Sequence, residues 1–186
     1  MELKKYILAD KYRYIGESGG VLKAYRLYDG FRFSFWMRIC HKLRERTITK
    51  YTLFPLCRVM YKHYKYKYGY DIPYTVDIGP GLLIYHFGGI VLSARKCGKN
   101  LTISQNVTVG MTIHDDKKYF PVIGDNVYLA PGCAVIGNVV IGEDVAVGTN
   151  AVVTKSVEDH AILVGIPAKV ISHNGAARYV NNPITE

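Results

Sequence analysis

Residues 123–158 read IGDNVY, LAPGCA, VIGNVV, IGEDVA, VGTNAV, VTKSVE: six consecutive units of six residues. Their first positions are Ile123, Leu129, Val135, Ile141, Val147 and Val153, all branched aliphatics. Their fifth positions, Val127, Cys133, Val139, Val145, Ala151 and Val157, are small or β-branched, and Gly, Asp or Asn fills much of the rest. A six-residue unit holds one short strand and one turn. The aliphatic points inward, the small fifth residue suits a tapering corner, and Gly, Asn and Asp accept turn conformations that bulky residues resist. No unit buries its face alone, so the pattern predicts a stacked solenoid. A β-sandwich would instead alternate with period two over longer strands.

Working outward, CGKNLT, ISQNVT and VGMTIH from Cys97 fit the same template, and IPYTVD, IGPGLL, IYHFGG and IVLSAR from Ile72 fit it more loosely. Together they make 13 hexads, broken at Lys96 and by an inserted loop at 114–122. The expected organisation is a helical segment over 1–70, the repeat domain over 71–171 and a C-terminal tail over 172–186.

The whole chain of 186 residues is 49% apolar and 21% charged, a globular balance that excludes wholesale disorder. Four scattered cysteines (Cys40, Cys57, Cys97, Cys133) form no CxxC pair, which argues against a disulfide scaffold or a structural zinc site and for a reducing compartment. The first residues, MELKKYILADKYRY, hold no apolar signal region, and no run of eighteen apolar residues occurs, so the expected location is the cytoplasm.

Charge is unevenly spread: residues 1–70 carry +11 and the remainder −2. The same 70 residues hold 11 of the 16 tyrosines and the only tryptophan, Trp36. Apolar positions at helical spacing predict two to four helices there, interrupted at Gly19-Gly20 and Asp29-Gly30 and limited by Pro55. Arg32, Arg38, Lys42, Arg44 and Arg46 lie among aromatics. One reading is a helical cap with aromatics packed on the repeats and charges facing water. Another is peripheral contact with an anionic membrane at its inner face. Nucleic-acid binding is not expected, since no RRM, KH or helix-turn-helix signature appears.

The repeat block closely resembles the hexapeptide-repeat acyltransferases. That resemblance implies a left-handed parallel β-helix of triangular coils, behind an α-helical N-terminal segment. It also implies a homotrimer with active sites between subunits, acetyl-CoA as co-substrate and no metal. The closing AILVGIPAKVI resembles the segment that follows the last coil in this family. Within it, GYDIPYTVDIGPGLLIYHFGGIVL resembles the serine acetyltransferase signature, with Asp71 and His86 fifteen residues apart and Gly89-Ile90-Val91 following.

By resemblance, His86 is the general base and Asp71 its orienting carboxylate. A neutral imidazole can take the acceptor hydroxyl's proton during attack on a thioester, and a carboxylate on the other ring nitrogen fixes the tautomer. Backbone N–H groups at Gly110 and Met111 are the implied oxyanion donors, with Met111 standing where the serine enzymes have a second glycine. Pro131 and Thr149 in the groove, then Thr154, Lys155 and Lys169, match the family's cofactor contacts. His114, at the start of the inserted loop, competes as base or acceptor ligand by resemblance to sugar and xenobiotic acetyltransferases.

The acceptor reading rests on two departures. Serine acetyltransferases carry Arg-His before the proline ahead of the hexads, where this chain has Tyr119-Phe120-Pro121. They carry Asp before the catalytic His, where this chain has Tyr85. Both changes remove recognition of a zwitterion, and aromatics suit a sugar ring. The long acidic helical domain of the serine enzymes is replaced by a short basic one. The expectation is therefore an O-acetyltransferase acting on a sugar hydroxyl of a capsular, lipopolysaccharide or exopolysaccharide glycan or its precursor, with Tyr85, His114, Tyr119 and Phe120 at the acceptor. The alternatives are a serine O-acetyltransferase and a non-enzymatic β-helix scaffold.

Overall fold

The computed structural model describes residues 2–45 and 47–185; Arg46 lies outside them. From Tyr70 onward the chain winds into a three-faced prism of short parallel strands. The first face stacks Tyr70–Asp71, Ile90–Leu92, Thr108–Gly110, Ala134–Ile136 and Val152–Val153. Asp77–Ile78, Lys96–Cys97, Val122–Ile123 and Val140–Ile141 form the second. The third holds Leu83–Ile84, Thr102–Ile103, Tyr128–Leu129, Ala146–Val147 and Ile162–Val164, with Lys169–Ser172 antiparallel on its edge.

Register explains the period. Ile123 pairs with Ile141, Leu129 with Val147 and Val135 with Val153, each 18 residues on. Three hexads therefore close one coil. Across the inserted loop the spacing becomes 26, as Cys97 pairs with Ile123 and Val109 with Val135, so eight residues are looped out. All six first positions from Ile123 to Val153 are buried. Asn126, Asp144 and Asn150, at the fourth hexad position, have positive φ, a conformation that Asn and Asp accept.

Five helices among the described residues precede the prism: α1 (Leu3–Ile15), α2 (Val21–Leu27), α3 (Asp29–Leu43), α4 (Thr47–Tyr51) and α5 (Leu53–Tyr68). This exceeds the expected two to four, with the short α4 standing apart from α5, while two supposed breakers lie inside helices. Asp29-Gly30 opens α3, where a carboxylate suits the helix N-terminus. Gly30 is there for closeness: a Cβ on it would sit 2.3 Å from the Ile84 carbonyl oxygen. Pro55 falls in the first turn of α5, where its missing N–H costs no helical bond. That helix ends at Gly69, left-handed at φ 70°, which turns the chain into the first strand.

The helices close the lower end of the prism. Phe33, Met37, Cys40, Tyr61, Tyr68 and Tyr70 share one core with Ile72, Ile78, Leu82 and Ile84. The expectation that the cap's charges all face water is corrected at two residues. Arg38 is buried, paired with the Asp10 carboxylate at 3.0 Å and donating to the Gly79 carbonyl at 2.7 Å. Asp10 also accepts from the Gly81 and Leu82 N–H groups at 2.9 and 2.8 Å. Arg13, also buried, donates to the Gly81 carbonyl and the Thr102 hydroxyl, both at 2.6 Å; burial lowers its pKa to about 10. These cations bind open carbonyls at the end of the solenoid, which a helix alone cannot cover. No described helix is long and apolar enough to cross a membrane.

Candidate active site

His86 follows Leu83–Ile84 at the edge where the third face turns into the first. Register carries Gln105, Pro131 and Thr149 to the corresponding corner of successive coils. A pocket of about 340 Å³ opens along this edge, lined by Tyr85, His86, Ser104, Gln105, Tyr128, Pro131, Arg178, Tyr179 and Asn181. Of the residues expected at the site, the structure brings Tyr85, His86 and Pro131 together here.

Asp71 lies on the same edge. The corner after His86 is stitched to the segment before Asp71: the Gly88 N–H donates to the Tyr68 carbonyl (2.8 Å) and the Ile90 N–H to that of Gly69 (3.0 Å). Yet among the described residues no hydrogen bond joins Asp71 to His86. The Asp71 carboxylate instead accepts from Lys65 Nζ at 2.5 Å, in the last turn of α5. Both side chains of this ion pair have access to water, at 25% and 58% exposure.

Gly110, Met111, Thr154, Lys155 and the residues of the inserted loop lie on a different edge, where the first face turns into the second, while Lys169 opens the antiparallel strand on the third face. Gly110 ends a first-face strand, its carbonyl accepting from the Gly137 N–H at 3.0 Å, and Met111 follows, exposed. Thr154, Lys155 and Lys169 line one groove of about 520 Å³. The inserted loop leaves the same edge as a hairpin, Thr112–His114 against Lys117–Tyr119, with Thr112 opposite Tyr119. His114 is exposed and its Nδ1 lies 2.9 Å from the Asp115 carboxylate. Phe120 follows the hairpin, half-buried. One chain thus carries two sets of site residues separated by the first face.

Of the other histidines, His41 is half-buried and its Nδ1 lies 2.8 Å from the Tyr74 carbonyl oxygen. His160 is exposed, and its hydrogen bond with Asp144 raises its pKa above the ordinary 6.5. Cys40, Cys97 and Cys133 are buried, and burial pushes each thiol up to about 12. Among the described residues, no three or more His, Cys, Asp or Glu side chains converge as metal ligands.

Sequence reasoning missed Arg178, Tyr179 and Asn181, which come from the tail. Residues 173–185 run back along the third face. Ala176 and Val180 pack on Ala146, Tyr128 and Ile162, and Tyr179 stacks on Tyr128 at 5.0 Å. Asn181 Nδ2 donates to the Tyr85 hydroxyl at 2.6 Å, and the Ile184 N–H to Asn100 Oδ1 at 3.0 Å. The tail has no hexad pattern, so its docking left no periodic signal.

Comparisons with known proteins agree with this architecture. Residues 120–155 match the bacterial transferase hexapeptide (six repeats). The chain is 32% identical over 149 residues to a serine acetyltransferase of Bacillus pumilus, covering 80% of this chain and 66% of that protein. It is 36% identical over 138 residues to one from Staphylococcus xylosus, covering 74% and 62%. It therefore spans just under two thirds of these relatives' length. The crystal structure of Neisseria gonorrhoeae serine acetyltransferase in complex with serine superposes with a TM-score of 0.72 at 26% identity, over 90% of this chain and 68% of that one. The chain is similar to serine acetyltransferases over most of its length, and its fold is a left-handed parallel β-helix behind N-terminal helices.

The expected glycan acceptor is corrected by these relatives, which are named for serine. That expectation took the aromatics at Tyr85, Tyr119 and Phe120 to mean that charge recognition was lost. In the folded chain a guanidinium from the tail, Arg178, lines the His86 pocket, so losing one charged pair from the sequence did not empty the pocket of charge.

Proposed function

We propose that this chain is an acetyl-CoA-dependent serine O-acetyltransferase with His86 as general base. The observation that carries the reading is the position of His86: it lines a pocket on the edge it shares with Asp71, in a chain with serine acetyltransferase relatives. His86 takes the proton of the serine hydroxyl as its oxygen attacks the thioester carbonyl. The tetrahedral adduct collapses, the C–S bond breaks, and the proton passes to the leaving thiolate. The products are O-acetylserine and free coenzyme A, with no acyl-enzyme. Asp71 releases Lys65 and orients the imidazole.

The split of site residues over two edges supports a homotrimer. About a threefold axis, the His86 edge of one copy meets the Gly110–Lys155 edge of its neighbour. Gly110 and Met111 N–H groups then face the oxyanion. Thr154, Lys155 and Lys169 hold the cofactor, the lysines through charge-assisted contacts to phosphate.

The test is coenzyme A release from acetyl-CoA with L-serine, with mass spectrometry of the product. Wild type is expected to form O-acetylserine. His86→Ala is expected to lose about 10²- to 10⁴-fold in kcat while keeping its circular dichroism spectrum. Wild-type protein that releases no coenzyme A with serine, or an unimpaired His86→Ala, would overturn the reading.

A further inference from the structure

We infer that Arg178 is the residue that binds the acceptor's carboxylate. The inference rests on the serine reading above and deepens it. Arg178 lies in a short turn of the docked tail, where the Tyr179 N–H donates to the Ala176 carbonyl at 2.8 Å. That turn is fixed on both sides, by buried Ala176 and Val180 and by the stacking of Tyr179 on Tyr128. The backbone is therefore held, while the guanidinium stays exposed beside the pocket that contains His86.

Two further observations point to a zwitterionic ligand there. Among the described residues Arg178 has no ion pair or side-chain hydrogen bond, and no carboxylate lines the pocket. A planar cation facing a pocket free of acids matches a carboxylate in bidentate geometry. Gln105, on the same wall, has an amide oxygen that is buried without a hydrogen-bond partner. Such an acceptor is costly to leave unmet, and an ammonium donor brought by the ligand would satisfy it. Arg178 for the carboxylate, Gln105 for the ammonium and His86 for the hydroxyl together select a hydroxy-α-amino acid. The charge absent from Tyr119 and Phe120 is thus supplied by a different segment of the chain.

Steady-state kinetics on the full chain tests this with Arg178→Ala and Arg178→Lys, using L-serine and L-serinamide, which lacks the carboxylate. Arg178→Ala is expected to raise the KM for L-serine about 10- to 100-fold and leave the KM for acetyl-CoA within about twofold. The wild-type preference for serine over serinamide is expected to collapse, and Arg178→Lys to recover part of it. Two results would overturn the inference while leaving the serine reading intact. One is an unchanged serine KM in Arg178→Ala. The other is a raised acetyl-CoA KM instead, which would make Arg178 a cofactor-phosphate ligand. Wild type inactive on serine removes both, so the two failures are distinct. Unaltered melting temperatures exclude unfolding as the cause of any loss.

Discussion

Asp71 has two candidate partners and holds one of them. Its carboxylate is engaged by Lys65, although the chain path brings it to the edge that carries His86. An ion pair this open to water contributes between zero and about 1 kcal/mol, so exchanging lysine for imidazole is cheap. Lys65→Met is therefore expected to change unfolding free energy by less than about 1 kcal/mol and to leave kcat undiminished. Urea denaturation and steady-state kinetics check this. A large fall in kcat would mean that Lys65, rather than Asp71, supports the imidazole. The spacing of Asp71 and His86 was legible in the sequence; the lysine that pairs with Asp71 was not, because one more lysine in a basic segment carries no distinguishing mark.

Among the secondary-structure elements, the join between helices and prism depends on buried charge. Asp10 on α1 and Arg38 on α3 pair with each other and also satisfy backbone groups at 78, 79, 81 and 82. Removing one partner leaves an uncompensated buried ion, so Asp10→Leu is expected to cost about 3–5 kcal/mol. The double variant Asp10→Leu/Arg38→Met is expected to cost less than the sum of the two single changes, because no lone charge remains. Denaturant unfolding of the four proteins closes the cycle; strict additivity would refute the coupling. The helices themselves follow from apolar spacing. Their boundaries were misread at Asp29-Gly30 and Pro55 because both motifs are helix-compatible in a first turn.

For the whole molecule, the decisive feature is that one chain presents its site residues on two edges of one prism. If two copies complete each site, variants damaged on different edges complement one another. Co-expressed His86→Ala and Lys155→Ala/Lys169→Ala chains are expected to form mixed trimers with more activity than either parent trimer. Activity assays on differentially tagged, co-purified protein and light scattering for three copies per particle provide the check. Mixed particles no more active than the parents would place the site within one chain.

The hexad period determined a stacked solenoid by itself, because every inward side chain repeats locally and each unit needs a stacked neighbour to bury it; its three-faced coil was implied by the family resemblance. The spacing of Asp71 and His86 named the edge where chemistry is sought only through its resemblance to the serine acetyltransferase signature. Only the tertiary structure decided which charges are buried and which face the pocket. Arg13 finds its partners 68, 89 and 168 residues away, and Arg178 reaches the His86 pocket only because the tail folds back along the third face. A cation's role depends on the groups that surround it, and those are assembled by contacts too distant in sequence for any local pattern to record.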